Sequence, residues 1–197
     1  MGSSVKSAPR TVRASSRTTP SNATARGPAV LARLYHYRRL LLLAVVVFAL
    51  DQITKVWINH TLPFETYFEP GRITVIPAFF HLVHVGNTGA AWGMFAGKTA
   101  WLAALAVVTL AGIYFFRHHL ELRRTVTQVC FGLLCGGIFG NLVDRIVHGH
   151  VIDFLLFTFG SYDFPAFNVA DSAICVGVGL YLIQSFREPQ RAEIGSR

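Results

Sequence analysis

Four aspartates, Asp51, Asp144, Asp153 and Asp171, stand in or beside long apolar runs of this 197-residue sequence. Ionisable groups at membrane depth are expensive and commonly mark function. Asp51 and Lys55, four residues apart on a helix, share one face and form a charge pair. Asp144 and Arg145 are adjacent and offer a second pair, and both pairs read as fixing helix ends. Asp153 and Asp171 have no cation beside them in sequence. Two such carboxylates held close together cannot both ionise cheaply, so one keeps a proton. That is the arrangement of an aspartic hydrolase, in which one carboxylate activates water and the protonated one polarises the scissile carbonyl. Such a pair titrates as a unit, and no single pKa belongs to either member. The residues alone equally allow a plainer reading: an interfacial aspartate at each helix end, with Asp171 serving as a cap.

Other chemistries have less to stand on. A Ser/Lys protease would use Lys55 as base with Ser161 or Ser172, but no G-x-S-x-G elbow exists. The Gly-x-Gly-Asp run of presenilin-type proteases is absent. The eight histidines are scattered, with only His81/His84 and His148/His150 closely paired. No third and fourth metal ligands are placed, so no metal and no cofactor are expected. Cys130, Cys135 and Cys175 lie inside apolar runs and read as small buried hydrophobes. A proton-coupled transporter would also keep charges in the membrane, but near the midplane and in repeated halves. The two halves here do not match.

The elements that must position these groups follow from composition. The chain is 52% hydrophobic and 14% charged, against about 25% charged for a soluble domain, so a membrane protein is expected. The net charge of +8 sits wholly in residues 1–39, which contain no acid. That Ser/Thr/Ala-rich stretch reads as a low-complexity cytoplasmic tail, neither a core nor a cleavable signal peptide. The remainder balances to zero, which argues against nucleic acid as a partner. Four apolar segments, about Leu40–Trp57, Thr99–Phe116, Thr125–Val143 and Ala166–Phe186, each approach the roughly 20 residues of a membrane span.

Fourteen Lys and Arg in the tail, in the loop Arg117–Arg124 and at the C-terminal end, against three in the other two connections, predict four crossings with both termini cytoplasmic. In that topology Lys55, Asn141, Arg145 and Asn168 lie toward the outer ends of their helices, and Asp51, Asp144, Asp153 and Asp171 can converge at one depth near the outer interface. The outer loop 58–98, which holds Asn87, has β-rich stretches at Arg72–Ile76 and Phe79–Val85. The stretch 144–165 reads as irregular with a short interfacial helix. Gly132, Gly136 and Gly140 form a small-residue stripe for close helix packing. The organisation expected is a tail over 1–39, a membrane domain over 40–186 and a cytoplasmic C-terminal tail over 187–197.

Five runs then resemble successive motifs of the lipoprotein signal peptidase family: Asp51–Lys55, Asn87–Ala91, Gly136–Arg145, Val151–Phe154 and Phe167–Ser172. They occur in family order and at family-like spacing across about residues 40–186. The resemblance implies a membrane all-α bundle of four transmembrane helices with a small extracytoplasmic β-rich cradle. It implies an aspartic endopeptidase of the bacterial inner membrane that cuts prolipoproteins just before a diacylglyceryl-modified cysteine. By motif, Asp153 and Asp171 would be the catalytic dyad, and Asn141 and Arg145 would contact substrate and orient the site. Asn87 and Asn168 would support it, Asp51 and Lys55 would brace its structure, and Asp144 would be structural. The partners implied are the lipidated substrate and membrane lipids, with the enzyme a monomer. Trp92 stands where the family more often has Phe, and the basic tail matches nothing in the family.

Overall fold

The computed structural model describes residue 2 and residues 35–194; most of the basic tail expected over 1–39, and residues 195–197, lie outside them. Helix α1 spans Arg38–Thr61. Its first half, Leu40–Leu50, is wholly apolar, the helix contains no Gly or Pro, and it stops at Leu62, in extended conformation just before Pro63. Helix α2, Thr99–Phe115, carries no charge. Helix α3, Thr125–Val147, ends where Gly149 takes the left-handed conformation (φ +76°). Helix α4 is Val169–Ile194, so it continues past Phe186, where the membrane domain is expected to end. Three helical stretches, Arg38–Thr61, Thr125–Val147 and Val169–Arg187, are long and apolar enough to cross a membrane. The helix α2 has 17 residues, about 25 Å at 1.5 Å per residue, the short end of what a span needs.

Helix α3 lies against both α1 and α4, and α2 packs on α3. The glycines of α3 set the distance. A Cβ at Gly136 would stand 2.7 Å from the Ala44 carbonyl of α1, and one at Gly137 would stand 2.4 Å from the Ala170 carbonyl of α4. Gly132 and Gly140 lie as close to Leu40 and Asp51, so the stripe is the α1 contact and Gly137 opens a second face to α4. Outward, the helices present Leu42, Val45, Ile53, Val108 and Ile183, at half or more of full exposure, as a lipid-facing surface does.

The stretches between the helices fold into one antiparallel sheet of order β1-β2-β3-β4. Strand β1 is Ile73–Ile76 and β2 is Phe80–Asn87, close to the two stretches expected. Strands β3, Val151–Phe159, and β4, Tyr162–Asp163, correct the expectation of irregular chain and an interfacial helix over 144–165. The run Val151–Phe157 is apolar almost throughout and has no alternation to declare a strand. Pairing with β2 decides it, with Val85 opposite Asp153 and Asn87 opposite Val151. Ile152 and Phe154 then bury against Ile58 and Leu62 at the end of α1, which seats the sheet on the helices.

Candidate active site

Where sheet and helices meet, the polar residues form two layers. The lower layer surrounds Lys55, which is 1% exposed. Its ammonium donates to Asp51 Oδ2 (2.8 Å), Asp144 Oδ2 (2.8 Å) and Asn141 Oδ1 (3.0 Å), which uses its three protons. A charge this deep is tolerated only with such partners. The carboxylates have further work. Asp51 Oδ1 accepts the Ala170 N–H at the start of α4 (2.9 Å). Asp144 Oδ2 accepts the Ile152 N–H (3.1 Å), next to Asp153. Gln52 donates to both, at 3.2 Å to Asp51 and 3.0 Å to Asp144. This layer therefore ties α1 to α3, α4 and β3 at the points that carry the upper layer.

The upper layer holds Asp153 and Asp171. Asp153, 2% exposed, accepts Asn168 Nδ2 on Oδ1 (2.7 Å) and Asn87 Nδ2 on Oδ2 (2.9 Å). Asp171 Oδ1 accepts Asn141 Nδ2 (2.7 Å). Asn168 is the N-cap of α4, and its Oδ1 accepts the Asp171 N–H (2.9 Å). One amide thus fixes the backbone of one aspartate and the side chain of the other. Burial, and next the charge of Asp171, push the Asp153 carboxyl up to about 7. Asp171 is no mere cap, since Asn168 fills that place.

Asp144 does not pair with Arg145, as adjacency suggests; successive residues on a helix face different ways, so Asp144 turns inward to Lys55. Arg145 turns instead to the loop after β2, donating to Gly89 O (3.0 Å) and Asn141 O (3.3 Å). Its buried Nε has no partner among the described residues. Both aspartates, Asn87, Asn141 and Arg145 line a cavity of about 750 Å³ whose remaining wall is mostly apolar, with Trp92, Phe164 and Phe167. Lys55, Asp51, Asp144 and Asn168 stand behind that wall. Ser172, also on the cavity, donates to Asn168 O (2.9 Å), and Lys55 lies in the lower layer with its donors engaged, so the pair a Ser/Lys mechanism needs is not assembled. Among the described residues no three His, Cys, Asp or Glu side chains are grouped to hold a metal ion.

All eight expected site residues therefore gather at one end of the bundle. Gln52 is the participant that sequence reasoning missed. It lies inside the Asp51–Lys55 run, but an amide beside two charged residues carries no signal until Asp144 is known to lie across from it.

Known proteins resemble this chain in sequence and in fold. Residues 43–187 match the family model for signal peptidase (SPase) II. A lipoprotein signal peptidase of Symbiobacterium thermophilum is 41% identical over 143 residues, covering 73% of this chain and 91% of that protein. One from Pseudoalteromonas atlantica is 39% identical over 153 residues, covering 76% and 90%. Among solved structures, a bacterial membrane enzyme determined by the in meso method at 2.3 Å is 33% identical, with TM-score 0.69 over 77% of this chain and 90% of that one. A second, at 1.9 Å, is 34% identical with TM-score 0.65 over 75% and 92%.

Proposed function

This chain belongs to the signal peptidase II family, and from that membership we propose that Asp153 and Asp171 are the dyad with which it cleaves. The chain is a membrane-embedded peptidase that removes signal peptides from prolipoproteins. The observation that carries the dyad is that these two carboxylates line one cavity, with the charge of Asp171 acting on Asp153, and are held by three asparagine amides.

In the proposed mechanism the pair holds one proton. The ionised carboxylate takes a proton from water as its oxygen attacks the scissile carbonyl. The protonated partner donates to the carbonyl oxygen. The tetrahedral intermediate collapses as the carboxyl that took the water proton passes it to the leaving nitrogen and the other carboxylate takes back a hydroxyl proton, so that the C–N bond breaks and the dyad again holds one proton. Arg145 and Asn141, which line the cavity, contact the substrate peptide and orient it. The apolar wall with Trp92 and Phe164 takes acyl chains of the lipidated cysteine, and the cut falls just before that residue.

The finer topology is also proposed. All four helices cross the membrane, α2 as a short span, with both termini cytoplasmic and the sheet and dyad at the outer face. A bond anchored by acyl chains lies at that interface, where water is available. The enzyme acts as a monomer.

The test is cleavage of a diacylglyceryl-modified prolipoprotein by detergent-purified enzyme, read as loss of the signal-peptide mass. Asp153→Asn and Asp171→Asn should each lower kcat by at least about 10³-fold, as removing a group that acts as part of a unit does. Cleavage retained by either variant overturns the dyad.

A further inference from the structure

At the opposite end of the bundle a second cavity, of about 320 Å³, is lined by Tyr37, Arg117, His118, Glu121, Leu122, Arg123 and Arg124. It opens where α1 begins, α2 ends and α3 begins. From Arg38 to Asp51 is about 20 Å along α1, so this cavity is remote from the dyad and does not belong to it. Its floor is fixed: Leu122 is buried with Leu40, Cys130 and Phe131, against Tyr37 and Leu120. The wall is basic. Glu121 pairs with Arg124 (3.0 Å), and among the described residues no other acid lines the cavity. Arg117 lies 4.5 Å over the Tyr114 ring and donates one Nη1–H to Tyr114 O, which sets its planar guanidinium at the helix end.

We propose that this cavity binds the phosphate-bearing headgroup of an anionic phospholipid. A guanidinium presents a fork of donors that matches phosphate oxygens, and Arg117 and Arg123 exceed the charge that Glu121 neutralises. The source is a lipid rather than free phosphate because of the surroundings. Phe115, Phe116 and Val126, within two residues of the lining arginines in sequence, are more than half exposed, so apolar surface for acyl chains lies at the same end of the helices. Basic side chains at a membrane boundary recognise anionic headgroups by this combination. In the proposed orientation the leaflet is the cytoplasmic one, but the site depends only on its place at the end of the helices.

The experiment uses the full chain in a neutral detergent, with native mass spectrometry and thermal unfolding after addition of phosphatidylglycerol, phosphatidylcholine or inorganic phosphate. Phosphatidylglycerol should be retained as a discrete adduct and raise the unfolding temperature, with at least about tenfold preference over phosphatidylcholine. Arg117→Gln and Arg123→Gln should each weaken retention about fivefold. Arg117→Lys should weaken it less, and all three variants should cleave prolipoprotein at the wild-type rate without anionic lipid, which shows them folded. Equal retention by wild type and both Gln variants overturns the site. Equal stabilisation by inorganic phosphate overturns the lipid as its source.

Discussion

Asn168 positions both aspartates, its side-chain Oδ1 accepting the Asp171 backbone N–H and its Nδ2 donating to the Asp153 carboxylate. Asn168→Ala should therefore lower kcat by about 10²-fold, the scale of losing a positioned group around a reacting centre, while kcat for Ser172→Ala stays within about threefold. Single-turnover cleavage separates the two. The Asp153 carboxyl carries a second test. Its pKa is raised in the fold to about 7 from 3.8, so the native state holds the proton more tightly than the unfolded chain. Its contribution to stability is whole below about pH 4 and is lost as pH rises to about 7. Asp153→Asn, which never ionises, should unfold at the wild-type temperature near pH 4 and at a higher one at pH 8. A gap that does not grow with pH contradicts the assignment.

Between elements, distance is the quantity that matters. Gly137 lets the start of α4 approach α3, and a Cβ there would meet the Ala170 carbonyl at 2.4 Å. Gly137→Ala should cost about 1–3 kcal/mol as overpacking and reduce cleavage further, because Asn168 and Asp171 move with that backbone. Gly179→Ala, with open space around it, should cost nothing, since Ala suits a helix better. Thermal unfolding with activity alongside reports both. The lower layer gives the same lesson in charge. Lys55→Met leaves Asp51 and Asp144 buried without their cation, and breaking such a pair costs about 3–5 kcal/mol. Loss of folded protein in detergent, larger than for Lys55→Arg, is the expected result.

For the molecule as a whole, the arrangement separates a polar end from an apolar body. The sheet and site lie at one end and the basic loop Arg117–Arg124 at the other. In cells, a variant with Cys130, Cys135 and Cys175 replaced and a single cysteine at Ser161 should react with a membrane-impermeant maleimide. A single cysteine at His118 should react only after permeabilisation. The reverse pattern overturns the proposed orientation.

Much of this was legible in the residues. Helix positions follow from apolar runs broken by Pro, Gly and charge, because a membrane span must satisfy its backbone internally. The aspartates and Lys55 were legible as candidates because ionisable groups are costly in apolar segments and so stand out, whereas the asparagines and Arg145 were picked out only by their resemblance to the family's motifs. Motif order and spacing resembled one family, and that resemblance implied the class of chemistry, which the residues alone left open between a hydrolytic pair and plain helix-end aspartates. Partnership was not legible. Whether Asp144 pairs with Arg145 or with Lys55, that Gln52 bridges two carboxylates, and that Val151–Phe159 is a strand all depend on groups distant in sequence. Those choices follow from which surfaces bury together, and only the tertiary structure decided them, since a buried donor or charge takes the partner that packing brings within about 3 Å, not the one beside it in the chain.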